Sequence, residues 1–188
     1  MYFYPYGPFK IDKKSNGLIQ ATNEHFKNFW KAIDEEYTSL SQACGCYIFA
    51  TKAGKGITPW YIGKAEKQPF AKECFQPHKI NHYNEAIAHK AVTPLLFLLP
   101  KSTENDNYSK PSVNGHQDVS ILETMLIGIA IEKNPSLLNI KGTKIFKEMV
   151  VPGVLNSPQG KPDITVLALK QALGVRPKKA NQSVEQTA

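Results

Sequence analysis

The stretch that most restricts the fold runs from Gly45 to Gly63, GCYIFATKAGKGITPWYIG, where two short apolar runs flank a glycine-rich connection. Cys46-Tyr47-Ile48-Phe49-Ala50 and Trp60-Tyr61-Ile62 are dense in aromatic and β-branched residues, and Ala53-Gly54-Lys55-Gly56 supplies the permissive backbone of a reversal. The stretch is therefore predicted to be a β-hairpin. A turn centred near Gly54 sets Tyr47 directly opposite Tyr61, with both phenols on one face. A slip of one residue separates them.

The remaining chain surrounds this hairpin with alternating helical and extended patterns. Phe26, Phe29, Trp30, Ile33 and Tyr37 recur at helical spacing after Asn23, which suits an N-cap. Residues 70–90 are helical in pattern, with a break at Pro77, and Leu95 to Leu99 form a buried strand. A polar loop over 101–117 leads to a helix that opens near Asp118 or Ser120 and ends near Lys133. Residues 146–151 suggest a further strand, and Lys161-Pro162-Asp163 opens a last helix with Ile164, Leu167 and Leu173 facing inward.

A chain of 188 residues with 41% hydrophobic content suits one globular domain with a real core. Its longest apolar run, closed by Pro94 and Pro100, has strand length and is too short to span a membrane. The start, Met1-Tyr2-Phe3-Tyr4-Pro5, lacks the pattern of a signal peptide, so a cytoplasmic protein is expected. Three cysteines, Cys44, Cys46 and Cys74, then read as reduced thiols. They lack a C-x-x-C knuckle, and their apolar neighbours favour core over zinc. The formal charge of +7 suits a polyanionic partner, although part of it lies at Arg176, Lys178 and Lys179, where solubility explains it equally well.

Two segments carry candidate chemistry. The helix from Asp118 to Lys133 has almost no polar face, which predicts burial on nearly every side, and Glu123 is the one charge in its middle. A buried carboxylate needs a metal, a cation or donors; alternatively, Ser120-Ile121-Leu122-Glu123 fits a capping box. In His78-Lys79-Ile80-Asn81-His82-Tyr83, Lys79 and Tyr83 lie one turn apart, as do His78 and His82. A cation beside a phenol suits phosphate chemistry; a solvated helix face is the plainer reading.

Taken in order, Gly45-Cys46-Tyr47, Tyr61-Ile62-Gly63, a helix with a cation and a phenol, an apolar helix with one glutamate and then Asn139 resemble the GIY-YIG nuclease superfamily. The resemblance covers Gly45 to Asn139. It implies an α/β fold of α+β type, with a small three-stranded, mainly antiparallel sheet flanked by helices. The chain is then expected to comprise an N-terminal arm and helix packed on the core over 1–40, a GIY-YIG-like nuclease domain over 41–175 and, from its composition, a disordered tail over 176–188. Tyr47 and Tyr61 correspond to the two motif tyrosines, Lys64 to a lysine that some members carry there, and Glu123 to the metal-binding glutamate. Where the family has an arginine this chain has Ala71, so Lys79, followed by Tyr83, is assigned that role, with Lys72 as its rival. Lysine lacks the bidentate fork of arginine, so His78 or His82 would help to hold phosphate. Asn139 resembles the asparagine that closes the site in several members, and could equally cap a turn.

The implied function is metal-dependent endonucleolytic hydrolysis of DNA, or of RNA, with Mg2+ (or Mn2+) on Glu123 and Tyr47 as general base, directly or through Tyr61. The alternative is a catalytically impaired module that binds nucleic acid or a protein partner. No separate target-recognition domain is evident, so specificity would come from the 101–117 loop, the aromatic arm, a homodimer or a recruiting protein.

Overall fold

Short runs of alternating apolar residues build sheets, and the computed structural model, which describes residues 1–104, 107–139, 143–151 and 163–174, has five strands. In chain order the elements are β1 (Tyr2–Phe3), β2 (Tyr6–Lys10), α1 (Asn23–Glu36), a short 3-10 turn (Leu40–Gln42), β3 (Gly45–Ala53), β4 (Gly56–Ala65), α2 (Phe70–Glu73), α3 (Pro77–Ile87), β5 (Thr93–Ser102), α4 (Gln117–Lys133), α5 (Thr143–Glu148) and α6 (Ile164–Ala172). The chain divides into two compact units, Met1–Thr143, which contains all five strands, and Lys144–Ala188. The tail from Arg176 onward lies outside the described residues.

The general class is mixed α/β with an antiparallel sheet, but the expected three strands become five. The strand order is β1-β5-β3-β4, with β2 also on β5, and every pairing is antiparallel. The extra strands come from the aromatic arm, which pairs along the edge of β5 that β3 leaves free. Pro100, which has no N–H to donate, lies between the reach of β1, which ends at Lys101, and that of β2, which begins at Leu98. On its other side Pro100 faces Gly45, where any Cβ would overlap the Leu99 carbonyl oxygen.

The hairpin forms, with a register other than the expected one. Its turn is Gly54-Lys55, closed by Ala53 opposite Gly56, and the φ of 54° at Gly54 is one that glycine tolerates best. Centring the turn between these two residues shifts the pairing by one, which alone would put the tyrosines on opposite faces. A bulge at Trp60, between the pairs Ala50↔Pro59 and Phe49↔Tyr61, shifts it by one more. Tyr47 thus faces Gly63 and Tyr61 faces Phe49, making the two phenols diagonal neighbours on one face.

That face carries the main core, in which Tyr47, Phe49, Leu96 and Leu98 meet Ile33, Phe70, Phe75, Tyr83 and Ile87. Phe26 of α1 stacks on Phe75 with ring centroids 4.3 Å apart, and Tyr83 of α3 stacks on Phe49 at 4.0 Å. The opposite face receives α4, where the Cys46 thiol donates to the Val119 carbonyl at 3.3 Å. All three cysteines are free and buried, and burial pushes the Cys44 thiol up to about 11.

Three further expectations are corrected. Only one side of α4 is covered: Val119, Ile127, Ala130 and Ile131 are buried, while Ile121, Met125 and Ile129 are 54%, 59% and 68% exposed. An apolar helix does not reveal in its sequence which side meets the sheet. In place of a strand over 146–151, the chain ends α5 at Glu148, because a short apolar run is compatible with either period. Asp163 caps α6 by accepting from the Val166 amide at 2.9 Å, yet Ile164, Leu167 and Leu173 are exposed rather than inward. Among the described residues no helix is long and apolar enough to cross a membrane.

Candidate active site

The two tyrosines end up in different environments although both lie on one sheet face. Tyr47 is wholly buried, and among the described residues its hydroxyl has no hydrogen-bond partner of good geometry, the nearby Tyr83 hydroxyl being committed to the Cys74 carbonyl. It packs against Gly63, where an added Cβ would overlap the ring and the hydroxyl. Burial, reinforced by neighbouring acidic groups, pushes this phenol well above its ordinary range. Tyr61 is only half-buried; its ring centroid lies 6.3 Å from that of Tyr47 and 5.5 Å from that of His82, which stacks on it.

Lys79 joins the pair from the first turn of α3. Its ammonium donates to the Tyr61 hydroxyl at 2.7 Å and lies 4.9 Å and 5.8 Å from the Tyr61 and Tyr47 ring centroids. Glu73 of α2 lies 3.3 Å from the same ammonium. Burial alone would pull Lys79 down, but the Tyr61 hydrogen bond and the Glu73 charge outweigh it and the group is raised. Tyr83, one turn further on, is fully buried and donates to the Cys74 carbonyl at 2.9 Å. Its hydroxyl is thereby committed to the core.

Glu123 approaches from α4. That helix begins at Gln117 with His116 at the N-cap position, so Ser120 lies inside it and cannot form the capping box with Glu123. The Ser120 hydroxyl instead donates to Glu66 at 3.0 Å and accepts from Lys64 at 2.7 Å, while Lys64 and Glu66 pair at 2.8 Å. Among the described residues Glu123 has neither a hydrogen-bond nor an ion-pair partner. Burial raises its carboxyl group, the charges of Lys64 and Lys79 pull it back, and Glu66 and Glu73 oppose them. For Glu66 burial also acts upward, but Lys64, Ser120 and the His116 amide outweigh it, and its carboxyl falls below the usual range.

The structure thus joins Lys79 to Tyr61 beside Tyr47 and His82, and places Lys64 and Glu123 on the side of the sheet that α4 covers, with Glu123 within electrostatic reach of Lys64 and Lys79. Lys72 and His78 are exposed. Asn139 is buried and its amide copies a strand edge, accepting from the Ile62 amide at 2.9 Å and donating to the Ile62 carbonyl at 2.6 Å. It therefore closes the free edge of β4 instead of offering its side chain outward.

Sequence reasoning missed Glu66 and Glu73, the acids that hold the two lysines. Glu66 was legible in part, since alternation along an extended chain puts it on the same side as Lys64. Glu73 was not, because its meeting with Lys79 depends on the angle between α2 and α3. A metal held by several side chains would need a different arrangement, as no three His, Cys, Asp or Glu residues cluster suitably among the described residues. What remains is one half-buried carboxylate without a partner, which fits an ion that keeps most of its ligands as water and phosphate oxygens. Comparison of the chain with protein-family models, curated proteins and solved structures finds no match.

Proposed function

We propose that this protein is a metal-dependent endonuclease of GIY-YIG type that hydrolyses phosphodiester bonds in DNA, with RNA as the other substrate class. The observation that carries the reading is the unpartnered Glu123 carboxylate within electrostatic reach of Lys64 and of Lys79, the latter bonded to the Tyr61 hydroxyl. The sequence alone offered an ordinary capping role for Glu123, and the start of α4 removes it.

In this reading Glu123 would hold Mg2+ (or Mn2+), which supplies charge neutralisation at the scissile phosphate and orients it. Tyr61, more exposed than Tyr47 and held at its oxygen by Lys79, is the phenol that meets the attacking water. In the reacting form Tyr61 would be a phenolate beside the Lys79 ammonium: water oxygen adds to phosphorus as its proton passes to that phenolate, the P–O ester bond opposite breaks, and the leaving oxygen takes a proton from solvent. Tyr47 backs Tyr61 from the core; its buried phenol favours the neutral form, so the proton route runs through Tyr61. Exposed Lys72 and His78 remain available for the nucleic-acid backbone.

Purified protein incubated with plasmid, single-stranded DNA and RNA, with and without Mg2+, tests the proposal. Glu123→Gln should abolish metal-dependent cleavage with the fold intact, and retained activity would remove Glu123 from the mechanism. A second reading, a module that binds nucleic acid without cutting it, is favoured by the complete burial of Tyr47. Salt-dependent binding without cleavage in any metal would select it.

A further inference from the structure

Lys79 occupies the position assigned to a phosphate-clamping cation, yet its ammonium is already engaged. Its side chain is 9% exposed; one N–H reaches the Tyr61 hydroxyl at 2.7 Å, and Glu73 Oε1 lies 3.3 Å away. An ammonium has three donors and no acceptor, which leaves one. Glu73 is braced in turn: Oε2 accepts from Gln68 at 2.5 Å and from Gln76 at 3.3 Å, residues that flank α2 on either side. Bracing of this kind holds the carboxylate in one rotamer. It also restrains the flexible four-carbon stem of the lysine, which would otherwise sample many.

We propose that Glu73 is a positioning residue that acts through Lys79 to set the orientation of the Tyr61 hydroxyl, so that Lys79 serves the phenol and not the substrate phosphate. An ammonium can only donate, so it takes a lone pair of the Tyr61 oxygen, and the phenolic proton must point away from it. The direction in which Tyr61 exchanges a proton is thereby determined two contacts away, by an acid that acts on Tyr61 through Lys79. The catalytic part of this inference rests on the nuclease reading; the structural part does not. If the Glu73–Lys79 pair merely joined α2 to α3, its loss would lower stability and leave Tyr61 unchanged.

The test uses the full chain as wild type, Glu73→Gln, Glu73→Asp and Lys79→Met, with tyrosines labelled with carbon-13 at Cζ and Tyr61 assigned through Tyr61→Phe. Glu73→Gln is expected to move the Tyr61 resonance in the same direction as Lys79→Met, and Glu73→Asp to return most of that shift. With plasmid and Mg2+, Glu73→Gln should lower kcat roughly tenfold or more and leave KM within about twofold. Should Glu73→Gln fail to fold, Gln68→Ala, which removes one brace and keeps both charges, is expected to move Tyr61 the same way to a smaller extent. An unmoved Tyr61 resonance overturns the proposal. So does a rise in KM at constant kcat, which would make the pair a binding element. Absence of cleavage in the wild type would refute the nuclease reading, while the resonance still decides the role of Glu73.

Discussion

Tyr47→Phe deletes a hydroxyl that is fully buried and, among the described residues, has no hydrogen-bond partner of good geometry, on a ring packed against Gly63. Protein mutational data put the cost of burying such a group at about 1–3 kcal/mol. Against this stands only the loss of a few dispersion contacts by one oxygen, about 0.1–0.2 kcal/mol each. The ring remains, no bond is broken and no methylene-sized void opens, so a net stabilisation of about 1 kcal/mol is expected. In urea the midpoint should rise with the slope unchanged, and Tm should rise by about 2–4 °C for a chain of this size. Under the nuclease reading the proton route runs through Tyr61 and Tyr47 backs it with its ring, which phenylalanine keeps, so the same variant is expected to retain cleavage. A variant destabilised by about 1 kcal/mol would show that the hydroxyl is bonded in solution and would refute the reasoning. A stabilised variant that no longer cleaves would return the Tyr47 hydroxyl to the proton route.

Gly63→Ala places a methyl group against the buried Tyr47 ring, so thermal denaturation should show a loss of about 1–3 kcal/mol; an unchanged Tm would mean the ring moves freely aside. Asn139→Ala strands the amide and carbonyl of Ile62 at the β4 edge, for an expected cost of roughly 2–4 kcal/mol by urea titration, and a cost near zero would show that water replaces the side chain. Burial raises the Tyr47 and Tyr83 phenols and the Cys74 thiol, so the folded state keeps protons that the unfolded chain releases. Their stabilisation is complete below the unfolded values, about 8.5 for cysteine and 10 for tyrosine, and is lost as pH rises through the folded ones. Unfolding free energy measured from pH 7 upward should therefore fall, less steeply in Tyr47→Phe, and a flat profile would contradict the burial of these groups.

Local patterns were legible wherever short-range chemistry decides the outcome. Gly54 and Gly56 between aromatic runs mark the hairpin, the spacing of Phe26, Trp30 and Ile33 marks α1, whose N-cap is Thr22, accepting from the His25 amide at 3.2 Å, in place of the expected Asn23, and Pro77 marks the break between α2 and α3. Opaque features were those set by something distant in sequence. No pattern announces the bulge at Trp60, and without it Tyr47 and Tyr61 would project from opposite faces. Nor does anything in Ile121, Met125 or Ile129 distinguish them from Val119 and Ile127 until the sheet takes one side of α4.

The amino-acid order by itself determined the strands and helices of the hairpin region and supplied two tyrosines, two lysines and one isolated glutamate in a recognisable sequence. Period and turn chemistry act over a few residues, so the sequence suffices for them. Tertiary structure alone decided how those groups are used: it tucked Tyr47 against Gly63, joined Lys79 to Tyr61 and Glu73, and committed Asn139 to the backbone of Ile62. It also freed Glu123 from the capping role its local sequence allows, because α4 begins at Gln117, before the Ser120 that a capping box requires at the helix start. The physical reason is one of range. Burial and ion pairing depend on which distant segments meet, and neighbours along the chain do not specify that.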